Sequence, residues 1–361
     1  MPGSSFGTHL HLTTFGESHG PGVGVVIDGI PPMLPLAEAD IQVELDRRRP
    51  GQSSVTTPRQ EADQVEILSG VFEGRTTGAP IALLIRNADQ RSKDYSNIKD
   101  VFRPGHADYT FHHKYGIRDY RGGGRSSGRE TASRVAAGAI AKKFLAAVGV
   151  QITSYTLSVG AVRAEIVDLN EIERNIVRCP DPVKAVEMIQ LIESVRDDGD
   201  SIGGVIETVV TGCPIGLGDP VFDKLDARLA HAMLSIGTTK GIEFGDGFAA
   251  TLNRGSHNND PFVMDGDSVT TATNHAGGIL GGISSGEPIL FRVAIKPASS
   301  ISKAQNTVTV DNEAEVIEVH GRHDPCICPR VVPVIEAMTA LTIMDCWLIQ
   351  EAIAAGRRAV C

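Results

Sequence analysis

Two twelve-residue segments in opposite halves of the chain share one pattern, and this repeat constrains the fold more than any other feature of the sequence. Residues 74–85 read GRTTGAPIALLI, and residues 282–293 read GISSGEPILFRV. Each has a glycine, two hydroxyl residues, a second glycine and a Pro-Ile pair before an apolar strand. A pseudo-symmetric fold with one unit in each half would explain the repeat. Chance similarity would explain it equally well, because glycine-rich turns recur in many proteins.

The rest of the chain is a mixture of helical and strand-like patterns without a linker. No Pro/Ser-rich segment or block of like charges divides it, so we predict one α+β domain spanning residues 1–361. The last helical segment is long and largely apolar, which predicts a core position. Helical patterns cover residues 35–49, 129–149, 182–200, 224–237 and 331–358, and strand-like runs cover residues 22–29, 79–85, 150–162, 204–212 and 288–295.

Composition argues against several classes of protein. The formal charge of -10 and the aromatic content of 5% disfavour nucleic-acid binding. We find no apolar run of the length that a membrane span needs, and the N-terminus lacks the basic and apolar regions of a secretory signal. The six cysteines are scattered and form no CxxC pair, so we expect reduced thiols in a cytoplasmic protein and no structural metal.

One segment departs from this acidic balance. Residues 102–130 hold six Lys/Arg, three His and six Gly against three Asp/Glu. Arg125, Ser126 and Ser127 directly precede a predicted helix, where backbone amides, hydroxyls and a guanidinium group together bind phosphate well. The segment therefore predicts a small, strongly anionic ligand, and a solvated basic loop is the alternative.

Two segments near the N-terminus combine glycine with residues that carry chemistry. Ser18 and His19 lie between two glycines, where a histidine suits proton transfer near neutral pH, although a turn with a surface histidine fits as well. Three consecutive arginines, residues 47–49, end a predicted helix. Cations stabilise a helix C-terminus, and the three point in different directions, so not all of them can serve one site.

Three later segments carry weaker signals. Residues 274–286 form a glycine-rich loop that either cradles an anion or is a hairpin, and residues 294–302 add a lysine and several serines. Asp324 precedes a proline, which is typical of a turn or a helix start. Alternatively, Arg322 and Asp324 present a cation and a base together. If the cations of all these segments converge, they would bind a ligand with several carboxylates or phosphates.

Six motifs, in one order along nearly the whole chain, resemble the signature segments of the chorismate synthase family. They are FGESHG (15–20), DRRRPGQS (46–53), DVFRPGHADYT (100–110), YRGGGRSSGRETASRVAAGAIAKK (120–143), NHAGGILGGISSG (274–286) and GRHDPC (321–326).

The resemblance implies a reaction and a fold. Members of the family convert 5-enolpyruvylshikimate 3-phosphate into chorismate by 1,4-anti elimination of phosphate, in the shikimate pathway of aromatic amino-acid biosynthesis. They need reduced FMN although the reaction has no net redox change. The source of the reduced FMN stays open between an external flavin reductase and reduction by NADPH on the protein itself. The family fold is a β-α-β sandwich with antiparallel sheets and internal pseudo-symmetry, assembled as a homotetramer.

The resemblance also implies roles for single residues. Asp324 corresponds to a carboxylate that relays a proton from the flavin, His19 to the acid that protonates departing phosphate, and His106 to the group that protonates the reduced flavin. Gly237 and Thr238 stand where many members have Asn-Ala. Substrate contacts are implied for Ser18, Arg48, Arg103, Arg129 and Arg134, and cofactor contacts for Arg125, Ser126, Ser127, Gly237, Thr238, Gly281, Lys296, Pro297, Ala298, Ser299, Ser300 and Arg322.

Two other functions are compatible with the residues themselves. The same arginines, histidines and glycines would serve a flavin-free phosphate lyase or transferase, which would turn over its substrate without reduced FMN. An anion-binding or nucleic-acid-binding module would instead bind RNA with an affinity that falls steeply as the salt concentration rises, and it would bind no small ligand.

Overall fold

Two antiparallel sheets enclose a layer of helices. The computed structural model describes residues 3–53, 55–56, 61–88, 98–319 and 323–360. The strands are β1 (Ser5–Phe6), β2 (His11–Gly16), β3 (Gly22–Asp28), β4 (Val65–Ile67), β5 (Val71–Phe72), β6 (Arg75–Thr76), β7 (Ile81–Arg86), β8 (Gln151–Val159), β9 (Val162–Arg163), β10 (Gly204–Thr211), β11 (Thr239–Phe244), β12 (Phe262–Asp265), β13 (Ser268–Thr271), β14 (Ile279–Leu280), β15 (Ile283–Ser284), β16 (Ile289–Ile295), β17 (Gln305–Val308) and β18 (Ala314–Ile317). The helices are α1 (Glu38–Arg48), α2 (Asp108–Tyr115), α3 (Thr131–Ala147), α4 (Pro182–Asp197), α5 (Leu225–Leu234), α6 (Gly255–Asn258) and α7 (Cys328–Val360).

Each large sheet has five strands within the described ranges. The first has the order β1-β2-β3-β7-β4 and the second the order β11-β16-β10-β8-β9. Helix α3 packs against the first sheet, α7 packs against the second, and the two helices pack against each other between them. The structure therefore confirms the predicted α+β class with antiparallel sheets and a β-α-β layering.

Alternating burial explains why the central strands form and which face they present. In β7, Ile81, Leu83 and Ile85 are buried, whereas the residues between them are more exposed. Strand β16 shows the same alternation. Successive side chains in a strand point to opposite faces, so this pattern directs one face of each sheet toward the helices.

The two copies of the sequence repeat occupy equivalent positions in the two sheets. Each copy contributes the second strand of a two-stranded ribbon, β6 or β15, and then a strand with a neighbour on both sides, β7 or β16. The first hydroxyl of the repeat, Thr76 or Ser284, accepts a hydrogen bond from a leucine N–H and donates one to the carbonyl of the proline three residues before that leucine. The partners are Leu34 and Pro31 in the first copy and Leu217 and Pro214 in the second. Because the two copies make the same hydrogen bonds, a pseudo-symmetric fold explains the sequence repeat better than chance similarity does.

Several predicted element boundaries are wrong, and local structure explains the differences. The predicted strand 150–162 is divided into β8 and β9 at Gly160, which has a φ of 51°. Helix α3 begins at Thr131 instead of residue 129, because a 3₁₀ turn capped by the Ser127 side chain precedes it. Helix α7 begins earlier than predicted, at Cys328, because Pro329 is tolerated in the first turn, where its missing N–H costs nothing.

Helix α7 corrects the expectation that no segment has the length and hydropathy of a membrane span. Its 33 residues include an 18-residue window with a mean hydropathy of 1.6. However, 83% of that window is buried inside the protein, between the sheets and the other helices. The apolar composition is therefore that of a core helix, as the sequence predicted for this segment.

The two central helices approach so closely that a glycine is required between them. A Cβ placed on Gly138 of α3 would overlap the backbone and side chain of Ala337 in α7. Next to this contact, the buried Glu336 carboxylate accepts hydrogen bonds from Arg47 of α1 at 2.6 Å, Lys142 of α3 at 2.8 Å and the backbone N–H of Ser154 at 3.0 Å. Packing and charge thus fix α7 to both halves of the chain.

We predict that Gly138→Ala destabilises the protein because the added methyl group forces α3 and α7 apart. Gly356→Ala is the matched control, since it lies on an exposed turn of α7 where an added Cβ meets no described atom within 4 Å. Both changes bring the same gain in helix propensity, so the difference between them isolates the overlap, and overpacking of this kind typically costs about 1–3 kcal/mol. Urea unfolding of both variants measures that difference, and equal stabilities would refute the close contact.

Candidate active site

A cavity of about 390 Å³ lies where the predicted segments from both halves of the chain meet. Its walls come from the turn between β2 and β3, the end of α1, the turns before α2, α3 and α7, and the segments that flank β11 and follow β16. The predicted residues that line it are Ser18, Arg48, Arg103, His106, Ser126, Ser127, Arg129, Gly237, Thr238, Lys296, Ala298, Ser299, Ser300 and Asp324.

Some predicted residues lie elsewhere in the described part of the chain. Arg125 and Arg134 line a larger neighbouring cavity of about 830 Å³, on the other side of the turn at residues 123–126. Gly281 lies in the turn between β14 and β15, and Pro297 presents its carbonyl to the Lys296 ammonium group at 2.9 Å. Arg322 falls outside the described residues.

His19 lies in a tight turn directly behind Gly122, which lines the cavity, and is not itself among the lining residues. The turn is closed by a hydrogen bond of 3.1 Å from the Gly20 N–H to the Glu17 carbonyl, which leaves Ser18 and His19 at its centre. The His19 side chain is buried and lies against Gly122, where an added Cβ would overlap the imidazole ring. Gly122 has a φ of 63°, which glycine adopts without strain.

Two buried arginines share one buried carboxylate. Arg48 Nη1 donates to Asp63 Oδ2 at 2.8 Å, and Arg129 Nη1 donates to Asp63 Oδ1. Burial lowers the pKa of Arg48 to about 9, Asp63 opposes this shift, and the guanidinium groups of Arg330 and Arg129 add to it. Burial would raise the pKa of Asp63, but Arg48 and Arg129 outweigh it and hold that pKa below its ordinary value. The pair therefore presents positive charge to the cavity with one counter-ion between them.

The neighbouring arginines on α1 have structural partners. Arg47 forms ion pairs with Glu44, Glu173 and Glu336, and the exposed Arg49 lies 3.7 Å from Asp46. As expected from helix geometry, the three arginines point in different directions and Arg48 is the one at the cavity.

A second carboxylate orients His106. The His106 Nδ1 lies 3.0 Å from Asp108 Oδ1, and Arg103 Nε donates to Asp108 Oδ2 at 2.7 Å. Burial would raise the pKa of Asp108, but the hydrogen bonds from His106 and Arg103 hold it far below its usual range. Arg103 Nη2 also lies 3.1 Å from Nδ1, so Asp108 and Arg103 together hold this side of the ring, and Nε2 lies on the other side, near Gly123.

Sequence reasoning did not single out two residues beside Asp324. Arg330, the third residue of α7, donates from Nη1 to Asp324 Oδ2 at 2.6 Å. His323 has its pKa lowered to about 4 by burial and by Arg103, so it is neutral at pH 7, and its buried Nε2 has no hydrogen-bond partner among the described residues. The motif GRHDPC contains His323, but only the fold shows that Arg330 turns back toward Asp324.

Lys296 belongs to a loop that is tied to the rest of the cavity wall. Its N–H donates to the Thr238 carbonyl at 3.0 Å, and its Nζ donates to Ser299 Oγ at 2.6 Å. The Ser299 hydroxyl in turn donates to the Gly105 carbonyl at 2.6 Å. Burial lowers the pKa of Lys296, and the nearby Lys240 adds to this effect. Thr238 has a φ of 77°, a strained conformation for a β-branched residue and one often found at functional sites.

The cavity concentrates cations beside histidines and a carboxylate within an α+β sandwich, which fits an enzyme with a small-molecule substrate. The pattern of the chorismate synthase family matches residues 10–348. Relatives named chorismate synthase include that of Chloroflexus aggregans, 58% identical over 346 residues (96% of this chain, 95% of the relative), and that of Methanocella arvoryzae, 57% identical over 350 residues (96% and 94%). A crystal structure of a chorismate synthase superposes with a TM-score of 0.77 at 34% identity, covering 96% of this chain and 93% of that chain.

The chain therefore belongs to the chorismate synthase family, and with it to the lyases. The resemblance found in its motifs is confirmed. The family depends on a flavin, and it serves aromatic amino-acid biosynthesis.

We predict that Gly122→Ala lowers turnover because the added methyl group displaces the His19 ring. Gly74→Ala is the matched control, since Gly74 has a similar φ of 72° and an added Cβ there meets no described atom within 4 Å. General acids contribute about 10²–10⁴-fold to rates, so we expect a loss of that order for Gly122→Ala and wild-type turnover for Gly74→Ala. Steady-state assays of chorismate formation measure both, and full turnover of Gly122→Ala would contradict this placement of His19.

Proposed function

We propose that the chain catalyses the 1,4-anti elimination of phosphate from 5-enolpyruvylshikimate 3-phosphate, giving chorismate, with reduced FMN as its cofactor. The observation that carries the proposal is the meeting of Arg48, Arg103, Arg129 and Lys296 in one cavity, with His19 behind its lining residue Gly122. A substrate with two carboxylates and a phosphate needs such a set of cations, and guanidinium groups bind these anions in a bidentate manner.

The residues present fit a flat, phosphate-bearing cofactor. An added Cβ at Gly123 would lie 3.1 Å from both His106 Cε1 and Ser126 Oγ, so glycine lets its loop pack directly against these two residues of the cavity wall. Ser126, Thr238 and the Lys296–Ser300 loop would hold the flavin, with Lys296 as the cation for its phosphate. A reduced flavin supplies electron density that lets phosphate leave without net oxidation or reduction.

The chain's own residues move the protons. Arg48 and Arg129 would hold the departing phosphate, and His19, at the centre of its turn, would donate a proton to it. His106 is anchored through Nδ1 to Asp108, so Nε2 is the atom that would hold or release a proton at the cofactor side. Asp324, oriented by Arg330 at 2.6 Å, would accept a proton.

Anaerobic assays that follow both phosphate release and chorismate formation test the proposed function. We expect turnover with reduced FMN, and none without flavin or with oxidised FMN. A further arm with oxidised FMN and NADPH tests whether an external reductase is needed. We propose that the chain works in the cytoplasm and needs an external flavin reductase. This arm should therefore be inactive until a flavin reductase is added.

Phosphate release without any flavin would replace our proposal with a flavin-free lyase. If the chain bound no small ligand but bound RNA with an affinity that falls steeply as salt rises, a nucleic-acid-binding module would replace our proposal.

We also propose that the chain assembles as a homotetramer. Several large apolar side chains of the C-terminal half are exposed in the single chain, and contact with another copy of the chain would bury them. They include Phe222 (91% exposed), Phe248 (81%), Leu252 (87%), Phe262 (68%) and Met264 (66%).

Light scattering should give four times the chain mass of 38.3 kDa. Phe262→Glu should lower that mass because it places a charge in the apolar contact. Val43→Glu, an equally exposed position on α1, should not. A wild-type mass of one chain would contradict the tetramer.

A further inference from the structure

Asn87 holds both ends of the turn that carries Ser18 and His19. It follows β7 directly, and its side-chain Nδ2 donates to the Glu17 carbonyl at 3.0 Å and to the Gly20 carbonyl at 2.8 Å. Its backbone N–H donates to the Pro21 carbonyl at 3.1 Å. One residue outside the turn therefore supplies two hydrogen bonds to it and a third to the residue that follows it, so the position of the turn depends on Asn87.

The same side chain contacts the arginine pair. Asn87 Oδ1 accepts a hydrogen bond of 2.9 Å from Arg129 Nε. The other end of the Arg129 guanidinium donates to Asp63, which also binds Arg48. Asn87 thus uses its two donors on the histidine turn and its acceptor on the anion-binding side.

We propose that Asn87 is a positioning residue that sets the distance between His19 and the Arg48–Arg129 pair. The inference rests on the proposed function, in which His19 protonates the phosphate that these arginines hold. Proton transfer needs heavy atoms within hydrogen-bond reach, and a displacement of about 1 Å can cost 10²-fold in rate. A side chain that binds both partners is a direct means of keeping that distance.

The chemistry of the amide explains why asparagine suits this position. It offers two N–H donors and one carbonyl acceptor on a short side chain, and all three are used. Aspartate has nearly the same shape but only accepts, so Asn87→Asp keeps the contact with Arg129 and replaces the nitrogen that carries both donors with one oxygen that repels the turn carbonyls. The change therefore separates the contact of Asn87 with the histidine turn from its contact with Arg129.

The experiment is a double-mutant cycle of Asn87→Asp with His19→Ala, measured under the anaerobic assay with reduced FMN. We expect Asn87→Asp to lower kcat by about 10–100-fold, because the turn is released, and to raise KM separately, because the added carboxylate pairs with Arg129 and reduces the positive charge available to the substrate. In the His19→Ala background, Asn87→Asp should cause no further loss of kcat, because it acts through His19. Glu66→Gln, which removes an exposed partner of the adjacent Arg86, is the matched control and should keep wild-type kinetics.

The outcomes separate this inference from the proposed function. If His19→Ala keeps full turnover, the role of His19 in the proposed function is wrong. If His19→Ala is slow but Asn87→Asp is not, or if Asn87→Asp lowers the rate equally in both backgrounds, the positioning role of Asn87 is wrong. If circular dichroism shows that Asn87→Asp does not fold, Asn87→Ser replaces it in the same cycle. The changes in kcat are then interpreted in the same way.

Discussion

The close contact between Gly138 of α3 and Ala337 of α7 is the constraint on which the rest of the structure depends. Because only the Ala337 methyl group lies between the two backbones there, the helices form one layer and each still packs on its own sheet. Both helices begin at the cavity, since α3 follows the turns at residues 122–130 and α7 follows His323 and Asp324. The spacing of the two helices therefore sets the distance across the site, which is how core packing determines site geometry.

The charges around the cavity follow one rule, in which a carboxylate lies behind the cations that face the ligand. Asp63 serves Arg48 and Arg129, and Asp108 serves Arg103 and His106. Removing such groups from water costs several kcal/mol for each ion, and shared carboxylates offset this only in part, so buried ion pairs are weak evidence for stability. Their arrangement is better explained by what they bind, since the single carboxylate of Asp63 between Arg48 and Arg129 leaves positive charge for an anionic ligand.

Local sequence patterns predicted the α+β class, the main helices and the segments that meet at the cavity, because glycine turns, helix ends and periodicity are local properties. They did not reveal Asp63 or Asn87, whose roles depend on Arg129, 66 and 42 residues away along the chain. They also could not place Arg125, which donates to the Thr14 and Gly16 carbonyls on the far side of its turn. Contacts of this kind arise only when the strands pair.

The pseudo-symmetric frame carries chemistry that differs between its two halves. Strands β7 and β16 are equivalent, and the chain leaves each of them toward the same cavity, but Asn87 follows the first and Lys296 the second. The first half thereby contributes the histidine turn and the anion-binding arginines, and the second contributes the lysine loop and Asp324. Because the two central helices bring both strand ends to one cavity, a repeated scaffold produces a single asymmetric site, and neither half contains that site without the other.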